Sequence, residues 1–357
     1  MRKIIDLNHS TCDYECMWNG IEDLYRNKQG EDFPGFFFFC LSGIGNFVYR
    51  KSSLDHPKRL AGWNDGRTKQ MYRSVSELIG FQFKHIEGRS FGYAMDKAKE
   101  QILLDKPVVL GCLDMYYLRY YPKFFGQQHI PIHYVLMVGF DDEKGCAYLL
   151  DCGVKEVQEI SFELLEKALD ISKTSLSDKN TVCTIDFNEI LKPVIEIARE
   201  GFYKKAKAML EPSVGFVGIP GMYKLANEFG HWQTELTPAE YEDCLRSLVM
   251  FTGTVPALPS RLIGIEKDNI LHMADREKLA EVLRWLGETY GISAWNKAAE
   301  EFLESGLMIE KLTDQIVEYL LKERSELEEL PDIIRQIAGM EEKAFRSVLL
   351  GAECNYS

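Results

Sequence analysis

The sequence predicts an α+β domain followed by a mostly α-helical one, and three observations carry this. Two apolar strand-like runs, Tyr134 to Phe140 and Cys146 to Leu150, flank a polar turn at Asp141 to Gly145 and read as a β-hairpin. Upstream of them, segments of helical period alternate with short apolar runs. After Thr184 the pattern changes to long amphipathic segments, which places a domain boundary near residue 186. The expected domains are therefore 1–186 and 187–357.

In chain order, helical periodicity first appears from Tyr14 to Lys28, with Asp13 as N-cap and Gly30 as stop. Phe36 to Phe39 and the glycine-punctuated stretch Leu41 to Tyr49 read as a core strand and turn. Gly43 and Gly45 lack the strand-to-helix glycine pattern of a phosphate cradle. Residues 66–80 and 90–104 read as helices, followed by strands at Phe81 to Ile86 and Pro107 to Leu113. The aromatic run Asp114 to Pro122 follows a buried strand and is a candidate pocket wall, with core packing as the competing explanation. In the second domain the helical segments are 188–210, 220–230, 238–253, 275–289, 294–304 and 309–350, with a loop around Pro256 and Pro259. The charged run Glu323 to Glu329 reads as a solvated helix face.

A formal charge of −13 supplies no basic excess to attract a phosphate backbone or an anionic bilayer, so no nucleic-acid or membrane partner is expected. No signal-peptide pattern and no membrane-length apolar run appears, and the expected location is cytoplasmic. Nine scattered cysteines do not form a secreted disulfide framework. Cys12 and Cys16 lack a matching second pair of ligands, so no structural zinc site, and no cofactor, is expected.

The chemistry concentrates at the hairpin's open end. His133 opens one strand and Asp151 closes the next, and a histidine oriented by a carboxylate is the base half of a nucleophilic triad. Taken singly, each has a plainer explanation: a histidine that starts a buried strand is usually structural, and Asp-Cys-Gly is a common turn. A cysteine elsewhere would complete the set, and Cys12 and Cys16 are the candidates because both lie at the start of the first helix. There backbone N–H groups and the macrodipole stabilise a thiolate and, in turn, the oxyanion formed on a carbonyl.

Four stretches resemble the N-terminal domain of the butirosin biosynthesis protein H family: Cys16 to Tyr25, Leu41 to Phe47, Pro107 to Asp114 and His133 to Asp142. The segment Gly218 to Ala226 and Trp232 are similar to the helical domain that follows in that family. The resemblance implies a papain-like, C39-peptidase-like cysteine domain and acyl transfer through a cysteine thioester. It implies an acyl carrier protein or small acyl donor and a small amine acceptor, in secondary-metabolite biosynthesis. By position, Cys16 is the implied nucleophile, His133 the base and Asp151 its orienter. Family members often place a histidine directly before the cysteine, where this chain has Glu15, so Cys12 stands as the alternative nucleophile. Asp114, Tyr116 and Tyr117 are the candidate substrate-binding residues, Asp114 to hold an amine, with a strand-end turn as its alternative. Two further functions stay open: a cysteine peptidase or amide hydrolase using the same residues with water as acceptor, and a non-catalytic binding module.

Overall fold

The computed structural model describes residues 1–12, 15–64, 71–174, 176–252, 258–263 and 273–353. In chain order the elements are β1 (Arg2–Ile4), α1 (Cys16–Gln29), α2 (Phe37–Ser42), β2 (Val48–Lys51), β3 (Arg59–Gly62), α3 (Met71–Ile79) and β4 (Phe81–Ile86). They continue with α4 (Phe91–Leu103), β5 (Val108–Leu113), β6 (His133–Asp141), β7 (Cys146–Asp151), β8 (Val154–Ser161), α5 (Phe162–Leu169) and β9 (Val182–Phe187). The remainder is helical: α6 (Val194–Leu210), α7 (Gly218–Phe229), α8 (Trp232–Glu235), α9 (Pro238–Met250), α10 (Arg276–Tyr290), α11 (Ser293–Leu320) and α12 (Leu330–Glu353). No helix among the described residues is long and apolar enough to cross a membrane.

The chain divides into two compact units, Met1–Phe38 with Thr68–Val194, and Phe39–Arg67 with Ile195–Ser357. The division is thus not a single cut near residue 186. Residues 39–67 are tied to the later helices by long-range backbone bonds: Tyr49 N–H donates to the Phe216 carbonyl and Gly218 N–H to the Phe47 carbonyl. The buried Arg276 guanidinium adds a bond to the Trp63 carbonyl. Pairings this far apart in sequence leave no local signal.

The first unit is built on an antiparallel sheet in the order β4-β9-β5-β6-β7-β8, with β1 added against β6. β6 and β7 are buried along their whole length, as their unbroken apolar runs require. α1 lies against β6 at Gly20, where an added Cβ would come within 3.0 Å of Leu136 Cβ. That close approach brings the start of the helix towards the open end of the hairpin. Trp18, fully buried, meets Tyr72 edge-on with centroids 4.9 Å apart, and the Tyr72 hydroxyl donates to the Met17 carbonyl at 2.6 Å. α1 starts at Cys16 and ends at Gly30, whose φ of 76° is the left-handed stop expected there. Its cap is Glu15, while Asp13 lies outside the described residues.

In the second unit β2 and β3 pair as a small hairpin beside the helices. Arg276 and Glu341 form a fully buried ion pair, Nε to Oε1 2.7 Å, to which Ser305 also donates.

Three expectations are corrected. Phe37 to Phe39 open the helix α2 and are not a strand; a short run of buried aromatics carries no period by which the two can be told apart. The expected break near 305–308 is absent, because Ser293–Leu320 is one helix. Gly306 serves close packing there: a Cβ would meet Met273 Cε at 2.8 Å and Arg276 Cβ at 3.1 Å. The break falls instead within 321–329, so the Glu323 to Glu329 run forms the connection between α11 and α12 and is not a helix face. Of the helix expected at 66–80, residues 65–70 lie outside the described residues and 71–79 are helical.

Candidate active site

β6 and β7 pair with Leu136 opposite Leu150 and Met137 opposite Leu149. Continued by one residue, that register sets Val135 opposite Asp151, so His133, two residues further along, shares Asp151's face on the diagonal. The ladders break on both sides, between Gly111 and Leu113 on β5 and between Leu149 and Asp151 on β7. Such irregularities re-aim side chains. His133 Nε2 lies 2.8 Å from Asp151 Oδ2, and the two side chains are 7% and 0% exposed.

Asp151 is saturated with donors. Tyr120 Oη donates to Oδ2 at 2.8 Å and Tyr121 Oη to Oδ1 at 2.7 Å, with the Gly153 N–H a long third at 3.5 Å. Burial alone would push this carboxyl up, but the His133 charge and the hydrogen bonds from His133, Tyr121 and Tyr120 hold it below its ordinary value. Burial likewise pulls the His133 ring down. The Asp151 charge and the Cys16 sulfur outweigh it, and the imidazole is raised from 6.5 to about 10.

Cys16 is the first residue of α1, and its thiol interacts with His133 both electrostatically and through a side-chain hydrogen bond. Its Sγ also lies 4.0 Å from the Ile132 carbonyl oxygen. Cys12 sits beside the same strand end: its N–H donates to the Cys152 carbonyl at 2.8 Å, and its Sγ packs on Gly35, where an added Cβ would be 2.4 Å away. The structure therefore brings Cys16, His133 and Asp151 together.

The helix start differs from the expected anion cradle. The Glu15 carboxylate turns back on its own helix and accepts from the N–H groups of Met17 at 3.2 Å, Trp18 at 2.7 Å and Asn19 at 2.9 Å. Those three donors are engaged, and a fully buried carboxylate opposes the macrodipole that would otherwise lower the Cys16 thiol.

Asp114, Tyr116 and Tyr117 form a second cluster. Asp114 accepts from the N–H groups of Tyr116 at 3.1 Å and Ile130 at 2.8 Å, and from His129 Nδ1 at 2.6 Å. Tyr116 stacks on the His129 ring with centroids 4.1 Å apart. Asp114, Tyr117 and His129 line an open cleft of about 350 Å³ with Lys167 and Asp170. Asp114 is thus engaged in holding the turn at 114–116 and the 129–130 segment.

Sequence reasoning passed over four residues here. Tyr120 and Tyr121 lie in the aromatic run already singled out, yet nothing in the run says which rings face Asp151. Cys152 places its Sγ within 4.8 Å of ligand atoms of both His133 and Asp151. His9 joins α1 to the end of β7: Nδ1 lies 2.5 Å from Asp23 Oδ2, and Nε2 lies 3.0 and 3.1 Å from the carbonyls of Asp151 and Val154. His133, Asp151 and Cys152 are spaced as a metal's ligands can be, but His133 Nε2 and both Asp151 oxygens are taken up by one another and by the phenols. The arrangement is a hydrogen-bond network.

A thiol at a helix start, an imidazole opening a strand and a carboxylate closing the next, gathered in one buried site, define a cysteine–histidine–aspartate protein. Residues 15–152 match the family described as butirosin biosynthesis protein H, N-terminal, and residues 163–254 match a domain of unknown function, DUF4872. The N-terminal region of the chain is thus similar to the butirosin biosynthesis protein H family over residues 15–152. No curated protein matches the chain.

Proposed function

We propose that the chain is a cysteine-nucleophile acyltransferase with a papain-like arrangement of Cys16, His133 and Asp151, working in a biosynthetic pathway. The observation that carries this is the contact of the Cys16 thiol with an imidazole that Asp151 holds from the other side. Support for acyl transfer over other cysteine chemistry comes from the family's place in butirosin biosynthesis.

With Nε2 bound to Asp151, the ring presents Nδ1 to the thiol and takes its proton. The Cys16 sulfur attacks the carbonyl carbon of an acyl thioester, the bond to the donor's sulfur breaks, and that sulfur leaves with the proton from His133. An amine then attacks the Cys16 acyl-thioester and gives a proton to His133 as the carbon–sulfur bond breaks. The product is an amide, and the thiol is restored. An acyl carrier protein or a small thioester is the donor, and a small amine is the acceptor. With water in place of the amine, the same steps give hydrolysis.

Labelling the full chain with a thiol-reactive acyl probe, followed by peptide mapping, tests the nucleophile. The acyl group is expected on Cys16; a label on neither Cys16 nor Cys12 rejects the covalent mechanism. Acyl release at one unchanged rate with and without added amines rejects transfer in favour of hydrolysis.

A further inference from the structure

The Asp151 side chain is fully enclosed, so bulk water has no part in setting its rotamer or spreading its charge. That work falls to its donors. An ionised carboxylate has about four lone-pair sites. Here the short bonds come from His133 Nε2 and the two adjacent phenols, Tyr120 on Oδ2 and Tyr121 on Oδ1. Tyr121 also sets its ring edge-on to the His133 imidazole, centroids 5.6 Å apart at 90°. Gly153 fits this placement, since a Cβ there would come within 2.6 Å of the Tyr121 hydroxyl oxygen.

An acyl-transfer cycle needs an imidazole that accepts a proton and then gives it up. An unshared buried carboxylate beside it would hold the imidazolium too firmly for the second half. We propose that Tyr120 and Tyr121 are positioning residues that lock the Asp151 carboxylate and divide its charge, and so keep the His133 proton transferable. Burial and the Asp151 charge both push the two phenols up, so they remain donors throughout the neutral range. The inference rests on the cysteine reading of the site.

Iodoacetamide alkylation of Cys16, followed by peptide mapping across the neutral and alkaline range in which the chain stays folded, tests it without a substrate. The upper limb of the rate profile reports the loss of the His133 proton. Tyr120→Phe and Tyr121→Phe each remove one donor, and each is expected to move that limb upward by about half a unit or more. Gly153→Ala, which displaces the Tyr121 hydroxyl, is expected to act in the same direction, while Tyr93→Phe on the exposed face of α4 leaves the limb in place. A role in packing alone lowers the melting temperature without moving the limb. An upper limb that is unmoved or lowered in the folded Tyr120 and Tyr121 variants, with normal wild-type reactivity, overturns the inference alone. Wild-type Cys16 alkylated no faster than the buried Cys112 overturns the cysteine reading, and the inference with it.

Discussion

Replacing Asp151 by Asn keeps the shape of the side chain and removes the charge that opposes burial at His133. The imidazole sits at about 10 against an ordinary 6.5, a difference of about 3.5 units, or roughly 5 kcal/mol. Burial pulls the ring down and is the largest single influence, so Asp151 and Cys16 together raise it by more than that difference, and without the carboxylate's charge the ring is expected to return to about its ordinary value or below. Burial stays in the variant and drives the ring towards the neutral form. Alkylation of Cys16 just above neutral pH, read by peptide mapping, is therefore expected to fall about tenfold or more. Stability carries a matching sign. A histidine raised above its unfolded value stabilises the fold below 6.5, and that contribution is lost as pH rises through about 10. A carboxyl held below its ordinary value adds stability that disappears as pH falls through its folded value. The excess stability of wild type over Asp151→Asn should thus be largest in the mildly acidic range and shrink towards pH 10, as measured by urea titration. An alkylation profile in the variant that overlays wild type would falsify the role given to Asp151.

Other perturbations test the supports of the site. Glu15→Gln removes the charge opposing the helix dipole but keeps an acceptor for the amides, and should make the Cys16 thiol easier to ionise. The acid limb of alkylation reads this, and an upward shift contradicts it. Gly20→Ala puts a Cβ within 3.0 Å of Leu136 Cβ and should cost about 1–3 kcal/mol in denaturant unfolding while slowing Cys16 alkylation; unchanged values for both refute the close approach of α1 to β6. At His9, burial lowers the ring's proton affinity but the bond and charge of Asp23 and the two carbonyls raise it, so the stabilisation it gives is present below 6.5 and is lost as pH rises through its folded value. His9→Phe should destabilise by about 1–3 kcal/mol at mildly acidic pH, since Asp23 loses the imidazole but keeps Arg26 and the Ser10 N–H on its other oxygen, and a loss that grows with rising pH refutes the charged form.

The hairpin and its two polar ends were legible because strand period and turn chemistry are local, and β6 and β7 are buried along their length. The first helix could be read for the same reason, from its periodicity and Gly30. What escaped depended on partners distant in sequence. Residues 39–67 belong with the later helices through bonds to 216–218 and 276, and Gly306 has the signature of a break until the neighbouring Met273 and Arg276 are known. The phenols on Asp151 escaped because four tyrosines share one short run. Which pair faces the carboxylate depends on the path of the chain between β5 and β6.

The role of the helix start shows most clearly how structure redirects the chemistry. A thiol at a helix N-terminus is expected to draw its acidity from the dipole, a term of about 0.3–1 kcal/mol at an exposed end and up to about 2 when partly buried. Here three of the amides that carry that partial charge accept no such duty, because they donate to Glu15. The same carboxylate raises the cost of a second negative charge at the adjacent Cys16. Activation of the thiol must then come from the other side, where His133 stands protonated against Asp151 and the two phenols. A site built this way ties reactivity to one proton on one ring, so any change that shifts that proton should alter the chemistry more than an equal change in helix capping.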